Sequence, residues 1–171
     1  MTQQQVDAFR FTGKFIKKII SEAIERAPAP AEIPWTPVTL PLAEARVALL
    51  TTAGISMHGD PPFDMAGERN NPTWGDPSWR RIHRDADSTA VAVNHLHIDT
   101  RYIERDINVA LPLRRLEELV AEGVVGAAAA THYSIMGFQG ADSSTLENVS
   151  GPEIAAAMRR DGVDLALLVP V

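Results

Sequence analysis

Four apolar runs stand out in the hydrophobic pattern of the chain. Residues 47–50 and 163–171 are largely apolar, and residues 90–101 begin as an apolar run and end in an alternation of polar and apolar positions. A run of small residues covers positions 124–130. Short apolar runs bounded by turn residues are typical of strands buried in a sheet. We therefore expect strands in the first three segments and a short strand or close-packed turn in the fourth.

Three other segments have the spacing of amphipathic helices. Residues 113–122 carry an apolar stripe that stops at Gly123, and residues 150–160 begin with an early proline and an acidic first turn. Residues 6–27 repeat apolar positions at helical spacing, with lysine and glutamate on the other sides. The stripe of this N-terminal helix consists of Phe9, Ile16, Ile20 and Ile24.

Prolines separate the N-terminal helix from the rest of the chain. Four prolines fall between positions 28 and 37, which predicts an extended linker over residues 28–44. The length of the remaining chain is that of one domain. We therefore divide the sequence into a helix at 1–27, a linker at 28–44 and a folded domain at 45–171.

Residues 55–82 are rich in turn-forming dipeptides and lack a clear period, so we expect a long irregular loop. It is either a lid over a cleft or a surface loop pinned by its aromatic residues. The predicted order is then strand, loop, strand, helix, strand, loop, helix, strand. This order indicates an α/β fold, Rossmann-like, with a mainly parallel sheet and flanking helices, plus the N-terminal amphipathic helix.

Histidines and an aspartate follow the second apolar run. If residues 91–101 form a strand, His95, His97 and Asp99 lie on one face, because residues two apart on a strand point the same way. We expect His132, beyond the small-residue run, to line the same cleft. In an acid–base role, a histidine protonates a leaving group and the aspartate orients it. One alternative is that these side chains bind a metal ion. Another is that one of the histidines is a hydrogen-bonded residue of the core.

Hydroxyl groups accompany both clusters. Thr51 and Thr52 follow the first predicted strand, and Tyr133 and Ser134 directly follow His132. Donors at the carboxyl ends of strands suit a small anion or a substrate carboxylate. Arg101 suits bidentate pairing with such a carboxylate. The alternative roles are ordinary loop capping for the hydroxyls and a salt bridge within the chain for the arginine.

Composition narrows the compartment and the partners. The net charge of −6 argues against duplex DNA and anionic membranes as partners. No apolar run is long enough to span a membrane and no secretory signal is visible, so we expect a cytoplasmic protein. The sequence contains no cysteine, which excludes disulfides, thiolate metal sites and a cysteine nucleophile within these residues.

Several separated motifs stand in order along the chain. They are ARVALLTTAGI at 45–55, GDPPFD at 59–64, VNHLHIDTRYIERDINVALPLRRLEELVAEGVVG at 93–126, HYSIMGF at 132–138 and DGVDLALLVPV at 161–171. Together these motifs resemble the selenoprotein B family of the glycine/sarcosine/betaine and D-proline reductases. The resemblance runs from Ala45 to the end and leaves out the N-terminal helix and the linker.

The resemblance implies reductive cleavage of a carbon–nitrogen bond in an amino acid or related amine. In that family, the last strand is followed by a selenocysteine or cysteine that acts as the nucleophile, and a pyruvoyl group on a partner subunit activates the substrate. We therefore expect the nucleophile just past residue 171 and no cofactor in this chain. A selenolate suits the attack because it is ionised and strongly nucleophilic at neutral pH.

Two explanations for the missing nucleophile stay open. Either a UGA selenocysteine codon was read as a stop, or the chain is a naturally short member served by another chain. Whether this chain is itself an enzyme is open in both cases. The other functions we consider are a non-catalytic ligand-binding or assembly subunit and a histidine-based metal enzyme. Truncation would leave the last strand uncovered, so we expect a homo- or hetero-oligomer.

Overall fold

A computed structural model of the chain describes residues 13–26, 36–71, 73–140 and 142–171. The chain divides into two compact units, Met1–Pro37 and Val38–Val171. In the first unit, helix α1 spans Lys14–Arg26, inside the predicted range. The remainder of the predicted helix and the first part of the proline linker lie outside the described residues. No helix in the described ranges has the length and apolar character needed to cross a membrane.

A five-stranded sheet forms the centre of the second unit. Strand β1 (Arg46–Thr51) pairs in parallel with β7 (Leu165–Val169) along one side. Along its other side it pairs first with β5 (Ala127–Ala128) and then with β6 (Thr131–Ile135), also in parallel. Strand β3 (Trp79–His83) adds to β6 in the antiparallel direction. The α/β class is therefore confirmed. The sheet is mixed, with three parallel pairings and one antiparallel pairing, and the Rossmann-like topology stays a prediction.

The prediction of one long irregular loop over residues 55–82 is wrong. The segment contains strand β2 (Ile55–Met57), helix α2 (Met65–Asn70) and most of β3. The α2 N-terminus is capped by Asp64, whose carboxylate accepts a hydrogen bond from Gly67 N at 2.8 Å. These elements escape a periodicity test because each is too short to repeat a pattern and turn residues separate them.

The predicted strand over residues 91–101 is wrong beyond its third residue. Strand β4 covers only Val91–Val93 and pairs with β2 as an antiparallel two-stranded ladder. After it, His95 Nδ1 accepts a hydrogen bond from His97 N at 3.1 Å, and Asp99 Oδ1 accepts one from Arg101 N at 3.2 Å. Such local side-chain bonds compete with a strand ladder. His95, His97 and Asp99 consequently do not share the face of a strand.

The other predicted helices are confirmed to within a residue or two. Helix α4 spans Leu113–Ala121 and α5 spans Gly151–Arg160, directly after a π-helical turn at Leu146–Ser150. Residues 94–100, between β4 and α3 (Arg101–Arg105), carry His95 and His97, and we call them the histidine loop. A 3-10 turn at Ile107–Val109 joins α3 to α4.

Apolar side chains cover both faces of the central strand, because successive residues of a strand point to opposite faces. Val47 and Leu49 belong to a core cluster that includes residues of α3 and α4. Ala48 and Tyr133 belong to a second cluster formed with α5. Burial on both faces fixes β1 in place, so the loop at its carboxyl end starts from a rigid base.

Candidate functional site

The loops that follow the parallel strands β1, β6 and β7 are joined where these strands end, and we call this side of the sheet the carboxyl edge. Thr52, just after β1, donates its backbone N–H to Val169 O at 3.2 Å and accepts at its carbonyl from Gly137 N at 2.9 Å. Its hydroxyl oxygen accepts from Val171 N at 2.9 Å. Thr52 therefore joins the ends of β1, β6 and β7 through backbone bonds, and these loops have defined positions.

A close backbone approach links this edge to the segment that carries the histidines. Asn94 N donates to Gly54 O at 2.8 Å, and Asn94 Nδ2 donates to Ser56 Oγ at 2.9 Å. Gly54 has a φ of +63°, and a Cβ at this position would lie 2.7 Å from Asn94 O and would also collide with the sulfur of Met136. Only glycine fits this turn without strain.

A carboxylate and an imidazole contact each other next to the loop after β6. His97 Nε2 lies 2.5 Å from Glu68 Oε1, while the side chain of Glu68 is 3% exposed and that of His97 is 55% exposed. The ring of Phe138, in the loop after β6, lies against His97 with 5.1 Å between ring centroids. Helix α2 supplies Glu68, and the loop after β4 supplies His97. A buried carboxylate that orients a half-exposed imidazole is an arrangement suited to proton transfer.

Glu68 was not among the residues identified from the sequence. It lies in a six-residue helix, within a segment that showed no period. No spacing relates it to the histidine loop, because its contact with His97 bridges 29 positions of the chain. Only the tertiary structure identifies it.

His95 lies behind His97 and is buried. Its Nδ1 accepts the hydrogen bond from His97 N, and the two rings meet edge to face with 5.8 Å between centroids. Burial lowers the pKa of His95, and the charge of His97 lowers it further, while Glu68 opposes the shift. The neutral imidazole therefore acts as a backbone acceptor that shapes the histidine loop.

His132 has a different environment on β6. Its side chain is buried, and Nδ1 accepts a hydrogen bond from Leu49 N at 2.9 Å. This bond satisfies a strand donor of β1 opposite the gap between β5 and β6. Burial is the main cause that lowers the pKa of His132 to about 4, with a smaller contribution from Arg84. No hydrogen bond or ring contact among the described residues joins His132 to either of the other two histidines.

Asp99 and Arg101 pair with each other on the surface. Arg101 Nη2 donates to Asp99 Oδ2 at 2.6 Å and Nε donates to Oδ1 at 2.8 Å. These hydrogen bonds lower the pKa of Asp99 to about 2 and raise that of Arg101. The guanidinium fork is therefore occupied by a carboxylate of its own loop rather than left open toward a ligand.

Two of the predicted hydroxyl donors are buried acceptors of loop bonds. Thr51 Oγ1 accepts from Ala53 N at 3.2 Å, and Ser134 Oγ accepts from Ile55 N at 2.8 Å. Both side chains are fully buried. They therefore hold the turn after β1 and the start of β2 in place at the carboxyl edge.

Tyr133 lies on the other face of the sheet. Its ring packs against Trp79 with 5.8 Å between centroids, and its hydroxyl donates to Asp161 Oδ2 at 3.3 Å. Burial and the neighbouring carboxylate raise the pKa of Tyr133. The structure thus brings Thr51, Thr52 and Ser134 to one edge but does not bring Tyr133 there.

In the part of the chain that the structure describes, no group of three or more histidine, cysteine, aspartate or glutamate side chains is arranged to hold a metal ion. Glu68 and His97 contact each other instead of converging on a common point. The metal-centred alternative therefore gains no support from the geometry.

Two curated proteins are similar to this chain. A D-proline reductase subunit gamma from Acetoanaerobium sticklandii is 37% identical over 134 residues, which is 78% of this chain and 52% of that protein. A glycine reductase complex component B subunit gamma from Carboxydothermus hydrogenoformans is 29% identical over 166 residues, 94% of this chain and 37% of that protein. No solved structure matches the chain.

The chain therefore spans about half or less of the length of these curated relatives. The model of the family described as glycine/sarcosine/betaine reductase selenoprotein B matches residues 4–170, nearly the whole chain. The match includes the N-terminal segment and the linker, so the expectation that the resemblance begins at Ala45 is wrong, and it also includes the residues of α2 and of the loop after β4. By this match and by its identity to the two relatives, the chain belongs to the glycine/sarcosine/betaine reductase selenoprotein B family.

Proposed function

We propose that this chain is a subunit of an amino-acid reductase complex, and that its carboxyl edge forms part of the site of reductive carbon–nitrogen cleavage. Family membership and the names of the two relatives support a reductase subunit. The single observation that carries the site is the contact between Glu68 and His97. In open α/β sheets, ligands bind outside the carboxyl ends of the strands, and His97 contacts Phe138 of the loop after β6.

In the proposed reaction His97 provides the proton for the departing amine. An amine leaves poorly as an anion, so protonation as the carbon–nitrogen bond breaks lowers the barrier. Because Nε2 contacts Glu68, Nδ1 is the nitrogen that gives up the proton, and the half-exposed ring is open to a substrate. Glu68 orients the imidazole.

The nucleophile and the substrate-activating group would lie outside this sequence, which contains no cysteine. A selenocysteine or cysteine and a pyruvoyl group on a partner would supply attack on carbon and activation of the amine. The residues of this chain suit a role beside those groups, because the accessible imidazole of His97 lies beside the loops that follow β1, β6 and β7. The contacts run from Val171 through Thr52 and Gly137 to Phe138, which touches His97.

The remaining predicted residues take positioning roles in this proposal. His95 holds the backbone of the histidine loop, and Thr52 joins the strand ends. Asp99 and Arg101 stabilise the start of α3 through their ion pair. The substrate is a small amine or amino acid, and the other subunits of the complex are the partners.

The test is reconstitution of the complex with this chain, followed by measurement of amine release from glycine and sarcosine and of ring opening of D-proline, the substrates whose departing nitrogen needs a proton. We expect His97→Gln to lower kcat by about a hundredfold or more, the usual contribution of a positioned general acid. Glu68→Gln should also lower kcat, because the amide no longer orients the ring as the carboxylate does. His83→Gln, at an exposed position of β3, is the matched control. Equal activity of His97→Gln and His83→Gln would refute the proposed role.

One observation favours a second candidate, a non-catalytic assembly subunit. Leu167 and Leu168 of β7 point to opposite faces of the sheet, yet they are 49% and 65% exposed. A doubly exposed apolar strand is typical of a surface that another chain covers. If Leu168→Asp prevents co-purification with the partner subunits while His97→Gln leaves activity unchanged, assembly is the function that remains.

A further inference from the structure

Helix α2, which carries Glu68, is too short to hold its own position. It has six residues, and a helix of this length is unstable alone because its few hydrogen bonds do not compensate for ordering the first turn. Support comes from Asp76. Asp64, the residue that caps the helix, donates its backbone N–H to Asp76 Oδ2 at 2.8 Å. Asp76 therefore holds the N-terminus of α2, about one turn before Glu68.

Hydrogen bonds keep the carboxylate of Asp76 in one orientation. Asp76 is buried, and both of its carboxylate oxygens accept hydrogen bonds. Oδ1, the oxygen that does not face Asp64, accepts from Ser78 N at 2.8 Å and from Ser78 Oγ at 2.5 Å. Rotation of the carboxylate would leave these donors without a partner, which is costly in a buried place. Because Ser78 directly precedes β3, Asp76 connects α2 to a strand of the central sheet.

The main chain of Asp76 holds a second group that contacts His97. Gln139 Nε2 donates a hydrogen bond to Asp76 O at 3.3 Å, and Gln139 directly follows Phe138 in the loop after β6. Phe138 lies against the ring of His97, and Glu68 contacts its Nε2. Asp76 therefore joins the two segments whose side chains contact this imidazole.

The residues before Asp76 pack closely against the same two segments. On the side of α2, a Cβ at Gly67 would lie 2.8 Å from Cζ3 of Trp74. On the side of the loop after β6, a Cβ at Gly75 would collide with Phe138 O. These close approaches leave little room for α2 to move relative to the loop, so the two segments keep a fixed spacing.

We propose that Asp76 is a positioning residue, which sets the spacing between Glu68 and Phe138 and thereby orients the imidazole of His97. The inference rests on the proposed function, in which Nδ1 of His97 releases the proton. A hydrogen bond at Nε2 keeps the proton of the neutral ring on that nitrogen and leaves Nδ1 open. When α2 loses its tether to Asp76, Nε2 loses its fixed partner, and the proton distributes between the two ring nitrogens.

NMR of the imidazole nitrogens in the full chain tests this effect without the other subunits. The signals of His97 are identified by their loss in His97→Gln. We expect one neutral tautomer, with the proton on Nε2, in the wild type and a mixture of both tautomers in Asp76→Ala. Asp76→Asn, which keeps the size and one acceptor, should change the tautomer in the same direction by a smaller amount. It also provides the test if the alanine variant does not fold.

Asp87→Ala is the matched control. Asp87 Oδ1 accepts from Thr89 N at 2.8 Å and from Thr89 Oγ1 at 2.6 Å, which is the same kind of turn as that of Asp76 and Ser78. The control should leave the tautomer of His97 unchanged. A purely structural role of Asp76 would lower the melting temperature and leave a single tautomer, and this result overturns the proposal. An equal change of tautomer in Asp87→Ala would overturn it as well.

Activity of the reconstituted complex separates this inference from the proposed function. Asp76→Asn should lower kcat by about tenfold or more with little change in KM, because a small displacement of a reacting group costs rate rather than binding. If Asp76→Asn changes the tautomer while His97→Gln keeps full activity, the positioning role is supported and the proposed function fails. If His97→Gln loses activity while Asp76→Asn keeps both kcat and the tautomer, the proposed function is supported and the positioning role is refuted.

Discussion

The environment of His132 predicts a specific loss of stability in acid. Its folded-state pKa is about 4, against 6.5 for an unperturbed histidine. The unfolded chain therefore binds a proton that the folded chain does not bind anywhere between these two values. The stabilisation from the neutral imidazole is fully present above pH 6.5 and is lost as the pH falls toward 4. At about 1.4 kcal/mol per pKa unit, this loss amounts to about 3 kcal/mol.

The variant His132→Leu isolates this contribution. It removes the titrating group and the acceptor for Leu49 N, so we expect a cost of about 1–3 kcal/mol near pH 7.5 from the unpaired buried donor. Because the variant cannot bind the proton, the stability of the wild type relative to the variant should fall by about 3 kcal/mol between pH 7.5 and pH 4, which cancels or reverses the difference present at pH 7.5. All other titrating groups are common to both proteins and cancel in the difference.

Urea unfolding followed by circular dichroism, at intervals of pH over this range, measures the difference. His83→Gln, an exposed histidine on β3, is the control for loss of a histidine outside the core. A His132→Leu difference that does not change between pH 7.5 and pH 4 would refute the reasoning. It would mean that the imidazole is as readily protonated in the folded chain as in the unfolded one.

Two further predictions concern the turn after β1. Gly54→Ala should destabilise the fold by about 1–3 kcal/mol, because it combines a positive φ with a collision against Asn94 O, whereas Gly123→Ala, at a similar φ but in open space, should cost less. Thermal unfolding measures both, and equal losses would contradict the importance of the collision. Ser134→Ala should cost about 1–3 kcal/mol by leaving the buried Ile55 N–H without its acceptor, and Ser134→Thr, which keeps the hydroxyl, should restore part of it.

The elements that the sequence predicts well are those whose burial repeats over several residues. Strand β1 and helix α4 have uninterrupted apolar patterns and appear near their expected boundaries. Helix α2 and strand β3 are missed because six and five residues do not establish a period. The prediction makes strand β4 too long, because the alternation of polar and apolar residues after Val93 resembles a strand pattern. In the structure these polar side chains form hydrogen bonds within their own loop.

The structure brings some of the predicted site residues together and separates others, and their functional roles stay a prediction. Sequence alone identifies histidines near strand ends, which brings His97 into consideration, but it cannot give the partner of each ring. Glu68 reaches His97 only through the packing of α2, and His132 accepts from β1 only because β5 and β6 leave a gap. Such contacts depend on tertiary structure and have no local signature.

Burial then assigns different chemistry to the histidines that the sequence treats alike. His132 is 1% exposed, and its pKa is lowered to about 4, so it holds no proton to donate near pH 7. His97 is half exposed and its Nε2 contacts a buried carboxylate, so the imidazole is held in one orientation and remains open to a ligand. Proton donation to a leaving amine requires the second environment and is excluded by the first. For this reason we place the proposed general acid at His97 and regard His132 as part of the sheet.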